Sequence, residues 1–207
     1  MIDRDADPTT PRRRSAGPQR STASHEAILA AADELLAESG PAGVTFEAVA
    51  RRAKAGKPTL YRWWPNKIAL LLELYDRHKD RVIVAPNHGD FRADLVDLTR
   101  SLWSFWRGSP AGAAFAAIIA EAQSSPETRR SLADHFADEG RSARNVLDQA
   151  IERAIDRGQL PPGSDVRRVR EAIMAVNWFH LLCDRLDDDR VVPAVDLLVD
   201  GLSACRE

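Results

Sequence analysis

Residues 45–67 read TFEAVARRAKAGKPTLYRWWPNK, and this stretch decides the fold. Thr45 has the hydroxyl that can accept a hydrogen bond from a free N–H of a first helical turn. Phe46, Val49, Ala50 and Ala53 follow at i, i+3, i+4 and i+7, so they share one helical face. Arg51, Arg52 and Lys54 fall off that face. Gly56 interrupts the pattern, and Pro58 then suits the first turn of a second helix, where its missing N–H costs nothing. In that second helix Leu60 and Trp64 turn inward. Lys57, Pro58, Thr59, Tyr61, Arg62 and Trp63 lie outward or flanking, as steps of about 100° per residue require.

Two short helices joined by a tight turn, the second with a cationic and aromatic outer face, suit the DNA major groove and its phosphates. The same pattern also fits an amphipathic helix pair with a solvated face, so it needs a brace to become a reading unit. Ser24 to Ser39 supplies one. Ile28, Ala31, Ala32, Leu35 and Leu36 recur there at helical spacing, Ser24 is a candidate N-cap, and Gly40-Pro41 is a stop signal.

The order of bracing helix, Gly-containing break, Thr-initiated helix, Lys57-Pro58-Thr59-Leu60-Tyr61-Arg62-Trp63-Trp64-Pro65-Asn66-Lys67 and leucine-rich helix resembles the N-terminal domain of the TetR family of transcriptional regulators. The motif resemblance covers about residues 24 to 75. The remainder agrees in length and helical pattern. The resemblance implies an all-α homodimer that binds a palindromic double-stranded DNA operator and, in most members, represses until a small ligand enters the C-terminal domain. It implies DNA-binding roles for Thr45, Lys57, Pro58, Thr59, Tyr61, Arg62, Trp63 and Lys67. Of these, Tyr61 matches a backbone or base contact and Lys67 a phosphate contact, and Lys57, Pro58 and Thr59 match base-reading positions. Lys54 stands where the family usually has Gly in the turn; a non-Gly residue in a left-handed turn costs ~1 kcal/mol.

Length and composition fit a two-domain chain of 207 residues with a net charge of −2. The charge is uneven: residues 12–67 hold ten Lys/Arg against five Asp/Glu, and residues 83–207 hold fifteen against twenty. A basic head on an acidic body fits a local DNA footprint. The expected division is an arm over 1–21, a helix-turn-helix domain over 22–67, and a regulatory and dimerisation domain over 68–207. The arm is polar, should be disordered, and carries one cationic cluster, Arg12, Arg13 and Arg14, which is either a solvated tail or a DNA-tracking arm. It has no apolar stretch of the signal-peptide kind. The small-residue run Ala111 to Ala120 is half the length a bilayer needs, so no membrane partner is expected. Cys183 and Cys205, the two cysteines, sit in apolar helical patterns and read as buried thiols of a cytoplasmic protein.

The body reads as helices throughout. One spans about Asn66 to Val84, another about Phe91 to Arg107. Gly108-Ser109-Pro110 marks a turn before a small-residue helix, Ala111 to Gln123, and a long helix is expected from Ser125 to about Arg157, capped by Gly158. Trp103, Trp106, Phe115, Phe136, Asn177 and Trp178 are the candidate ligand-binding residues. Aromatic side chains in a helical body serve core packing at least as readily as a pocket, and that alternative stays open. From Asp165 to Cys183 and from Val191 to Leu202, Val169, Ile173, Val176, Val195, Leu198 and Leu202 form apolar stripes at coiled-coil spacing. They could face the same chain's core. The resemblance favours a four-helix dimer interface.

An enzyme is the main competing class. The five histidines, His25, His78, His88, His135 and His180, form no metal-ligand spacing, and no phosphate loop, nucleophile elbow or Cys-x-x-Cys occurs. No catalytic residue, metal site or cofactor is therefore assigned. A partner-binding adaptor and a ligand-independent regulator remain as further alternatives.

Overall fold

The computed structural model describes residues 18–137 and 145–204, so the expectations for Arg12, Arg13, Arg14 and Cys205 lie outside the described residues. Among those described there are ten α-helices and no strand. The head consists of α1 (Pro18–Gly43), α2 (Phe46–Arg52) and α3 (Lys57–Trp63). The body consists of α4 (Lys67–Val82), α5 (Phe91–Gly108), α6 (Pro110–Ala122), α7 (Pro126–Ala137), α8 (Val146–Asp156), α9 (Val166–Leu182) and α10 (Val191–Ala204), with a short 3-10 turn, Asp188–Arg190, before α10. No helix is long and apolar enough to cross a membrane among the described residues.

Side-chain caps set the helix starts. Thr45 accepts from the Ala48 N–H at 3.1 Å, Asn66 from Ala69 at 3.0 Å, Asp90 from Ala93 at 2.8 Å, Ser109 from Gly112 at 2.9 Å and Asn145 from Leu147 at 3.0 Å. Each satisfies an N–H that has no partner inside its own helix. Gly40, at φ 66°, kinks α1 before its last turn, and Gly158, at φ 68°, follows the C-cap of α8 and releases the chain there.

Three sequence expectations are corrected here. Ser24 is not an N-cap, because α1 already begins at Pro18. The long helix expected over Ser125–Arg157 is not continuous, since Asn145 is extended (φ −72°, ψ 120°) and starts α8 afresh. Periodicity missed the break because both halves are amphipathic. Cys183 is exposed rather than buried, because it sits at the C-cap of α9 just before Asp184, which is left-handed at φ 51°.

The core runs without a break from head to body. Its centre is α6, which packs on α1, α4, α5 and α7. Four neighbours fit around one helix only if its surface is small, and Ala111, Gly112, Ala114 and Ala122 provide that surface. Gly112 is the tightest point. A Cβ there would lie 2.6 Å from both the Phe105 carbonyl oxygen and the Trp106 Cα, which are backbone atoms that cannot rotate away. We expect Gly112→Ala to force α5 and α6 apart and to lower stability by ~1–3 kcal/mol in urea unfolding; a midpoint equal to wild type would contradict this packing.

Candidate nucleic-acid interface and ligand cavity

The turn between α2 and α3 has the left-handed residue at Lys54 (φ 49°). Val49, Ala50 and Leu60 are buried against α1, and Phe46 packs edge-on against Tyr61 with ring centroids 4.9 Å apart. Arg52 reaches back to Glu38 on α1 at 2.7 Å and to Glu34 at 3.7 Å, which braces the pair from outside. The polar side of α3 remains open. Lys57, Pro58, Tyr61, Arg62 and Trp63 are exposed, Tyr61 by 58 % and Trp63 by 39 %, and Thr59 is half-buried. Lys67 opens α4 beside this surface. The guanidinium of Arg62 lies 5.4 Å from the Trp63 ring.

The cations of this surface are of two kinds. Arg51, Lys54, Arg62 and Lys67 form no ion pair among the described residues and are free to meet phosphate. Lys57 instead bonds Glu47, and the shared hydrogen bond lowers the Glu47 carboxyl and raises the Lys57 ammonium from their ordinary values. Sequence spacing did not reveal this pairing, since Glu47 and Lys57 belong to different helices.

A second cluster holds the C-terminal end of α3. The Trp64 indole donates to Glu73 on α4 at 2.7 Å, and Glu73 also meets His25 of α1 at 3.2 Å. The His25 ring stacks on Trp64 at 4.8 Å and meets Trp63 edge-on at 4.7 Å. Just beyond, Asn66 caps α4 with its oxygen and donates its amide to Ser131 on α7 at 2.9 Å. The head is thereby bonded to a body helix through one side chain.

That same helix, α7, lines the main cavity of the body. The cavity has a volume of about 560 Å³ and lies between α4, α5, α7, α8 and α9. Phe136, Asn177 and Trp178 line it. Trp103, Trp106 and Phe115 do not line it. They pack elsewhere in the core: Trp103 donates to Asn177 at 2.6 Å, Trp106 donates to the Tyr75 hydroxyl at 3.2 Å, and Phe115 stacks on Tyr75 at 4.2 Å. Burial pushes the Tyr75 phenol up, so it stays neutral. The lining also includes residues that periodicity could not single out, among them Tyr75, Asp76, Thr99 and Met174.

The C-terminal stripes are placed differently from the expected seam. Val169, Ile173 and Val195 are 7 %, 1 % and 1 % exposed within the single chain, so they belong to its own core and offer no surface to a second copy. Val176, Leu198 and Leu202 are half-buried. The exposed apolar side chains of the pair are Phe179 and Leu182 on α9 and Val192 and Leu197 on α10. A coiled-coil stripe marks where two helices meet something apolar, and here α5 and α8 supply that partner for the inner stripe.

A three-helix head with an open cationic helix, bonded to a helical body that holds a cavity, defines a helix-turn-helix type of DNA-binding regulator. The sequence comparisons agree. Residues 28–74 match the family described as "Bacterial regulatory proteins, tetR family", and residues 85–198 match "Tetracyclin repressor-like, C-terminal domain". The chain belongs to the TetR family of DNA-binding transcriptional regulators, which are not enzymes. It is 28 % identical over 190 residues to the HTH-type transcriptional regulator YdeS of Bacillus subtilis strain 168, covering 91 % of this chain and 94 % of that one. It is 29 % identical over 175 residues to the DNA-binding transcriptional repressor TetR of Mycobacteroides abscessus, covering 82 % and 88 %. Among solved structures it is similar to the TetR family transcription regulator SCO0332, with TM-score 0.72 and 30 % identity over 86 % of this chain and 97 % of that one. The fold also matches FadR from Bacillus subtilis, solved in complex with stearoyl-CoA, with TM-score 0.54 and 20 % identity over 88 % and 100 %.

Glu47 is an exposed carboxylate next to the recognition helix, so it opposes an approaching phosphate and occupies Lys57. Glu47→Gln should tighten duplex binding and steepen its salt dependence, measured by fluorescence anisotropy across a salt series. Unchanged affinity at every salt concentration would show that Lys57 and Glu47 stay out of the interface.

Proposed function

We propose that the protein is a homodimeric repressor that holds a palindromic operator and leaves it when a small apolar molecule fills the body cavity. The observation that carries this reading is the 560 Å³ cavity whose α7 wall is hydrogen-bonded, through Ser131 and Asn66, to the start of α4 beside the recognition helix. The fold match to FadR, solved with stearoyl-CoA, supports a ligand in a body of this kind.

In this reading Lys67, Arg62 and Tyr61 meet the DNA backbone. Lys57, Pro58 and Thr59 face base edges, Trp63 borders them, and Thr45 fixes the start of α2. The ligand touches Phe136, Asn177 and Trp178, with Trp103, Trp106 and Phe115 as the rigid support behind them. The test is selection of bound duplexes from a random pool at low salt. A two-fold-symmetric site should emerge, with half-site centres ~34–36 Å apart or a multiple of that, and its affinity should fall steeply with salt. A pool that shows no enrichment would defeat the reading.

The dimer is proposed to form through the outer faces of α9 and α10, where Phe179, Leu182, Val192 and Leu197 leave a patch that a second copy would cover, flanked by Val176, Leu198 and Leu202. Phe179→Glu should give a folded monomer by light scattering that binds the operator poorly. Ile173→Glu should instead unfold the body, because Ile173 lies in its core. A dimer that survives Phe179→Glu would move the interface elsewhere.

Release needs only a ligand that favours the DNA-free arrangement, and a coupling of ~1–3 kcal/mol changes operator affinity about 5–150-fold. Ser131→Ala removes the α7 contact of Asn66 but spares its cap on α4. It should leave ligand-free operator binding nearly intact and shrink the ligand's effect on it. A ligand response of wild-type size in Ser131→Ala would rule out this bond as the link.

A further inference from the structure

The polar groups around the cavity specify what kind of molecule it accepts. Among the described residues its charges are already matched. Asp76 has Lys79 at 3.3 Å and His135 at 3.6 Å. Arg170 is paired with the buried Asp148. Arg167 and Glu171 are exposed on α9, four residues apart and of opposite sign, so they leave no net charge there. A charged ligand would lose its hydration without gaining an uncompensated counter-charge.

The neutral polar groups are unevenly matched. Asn177 is held at both ends: its oxygen accepts from Trp103, and its amide donates one hydrogen to the Ile173 carbonyl at 2.8 Å. One hydroxyl is not matched at all. Thr99, 4 % exposed, lines the cavity from α5, and its hydroxyl makes no hydrogen bond with any described residue. Trp178 lines it from α9 through its ring, while its indole N–H is buried away from solvent and cavity alike, with no acceptor. Asn145, whose oxygen caps α8, also lines it, and the remaining described wall is apolar or aromatic, including Leu95, Leu98, Leu102, Phe136 and Met174.

We propose that the cavity takes an uncharged, largely apolar molecule with a hydrogen-bond-accepting oxygen, a ketone, ester or ether, held by the Thr99 hydroxyl. This rests on the reading of the cavity as the ligand site. A donor left open in a largely apolar wall favours a ligand that brings the acceptor and disfavours its hydrocarbon analogue.

The experiment compares four molecules of one shape on the full-length protein by calorimetry: butylbenzene, butyrophenone, phenylbutyrate and phenylbutylammonium. Butyrophenone should bind about tenfold more tightly than butylbenzene, the scale of one net hydrogen bond. Thr99→Val, close in shape to the original, should cut that ratio to about threefold or less. Tighter binding of the carboxylate or the ammonium would overturn the proposal by showing that charge governs the site. Equal binding of ketone and hydrocarbon would overturn it as well. If none of the four binds, the cavity is not the ligand site and both readings fall. If the ketone preference appears but no ligand releases the operator, the acceptor claim stands and the release mechanism alone fails.

Discussion

The close approach of α5 and α6 at Gly112 is the constraint on which the rest of the structure depends. With no side chain at that position, the Ala-rich α6 can lie deep enough to touch α1 in the head and α4, α5 and α7 in the body together. Head and body therefore share one continuous core and are not beads on a linker. A shift of α6 or α7 cannot be absorbed locally, because close-packed interiors transmit displacement rather than compress. The same packing leaves the larger side chains, Tyr75, Trp106 and Phe115, to fill the space beside α6. They form an aromatic stack with centroid distances of 4.2 and 5.9 Å around Phe115. The cavity lies on the far side of Tyr75, so its inner wall is rigid while its α7 wall connects to the head.

The head is held by polar contacts of a different kind. The His25–Glu73–Trp64 cluster ties the end of the recognition helix to both α1 and α4, and Asn66 adds a tie to α7. These contacts are partly buried, where a hydrogen bond to a charged group counts for more than on the open surface. They fix an orientation without adding apolar bulk near the DNA-facing side. Trp63 and Trp64 divide the labour: Trp64 is buried as the anchor, and Trp63, one residue earlier, is left on the open face with Arg62 above it.

How much of this was legible in the sequence follows from how local each signal is. The helix-turn-helix was readable in detail because cap, turn and inward positions all lie within residues 45–67. Thr45, Lys54, Pro58, Leu60 and Trp64 sit where their chemistry requires. The all-helical body was readable because its periodicity is strong and its turns carry Gly and Pro. What periodicity could not supply was the partner of each apolar face. The stripe through Val169, Ile173 and Val195 is real, but α5 and α8 already cover it, and sequence spacing is the same whether the cover comes from the same chain or another. The break at Asn145 was hidden between two helices of like pattern. Three of the six candidate ligand residues line no part of the cavity for a related reason: composition marks Trp103, Trp106 and Phe115 as aromatic, but only the tertiary arrangement decides which side of Tyr75 they occupy.

The two faces of the pair α9 and α10 now carry separate burdens. The inner face completes the cavity and the core, and Arg92 of α5 binds Asp196 and Asp200 of α10 to hold the pair against the body. Both carboxylates raise the Arg92 guanidinium further above its ordinary value. The outer face is left with Phe179, Leu182, Val192 and Leu197. Because Asn177, Trp178 and Phe179 are consecutive on α9, one helical turn carries a core hydrogen bond, a cavity wall and an exposed apolar side chain. A ligand that rotates Trp178 therefore acts on the same turn that presents Phe179. In a dimer built on the outer face, cavity occupancy would reach the second subunit through α9 as well as the recognition helix through α7. The spacing between two recognition helices, on which binding to paired half-sites depends, would then be set at both ends of the body by the same cavity.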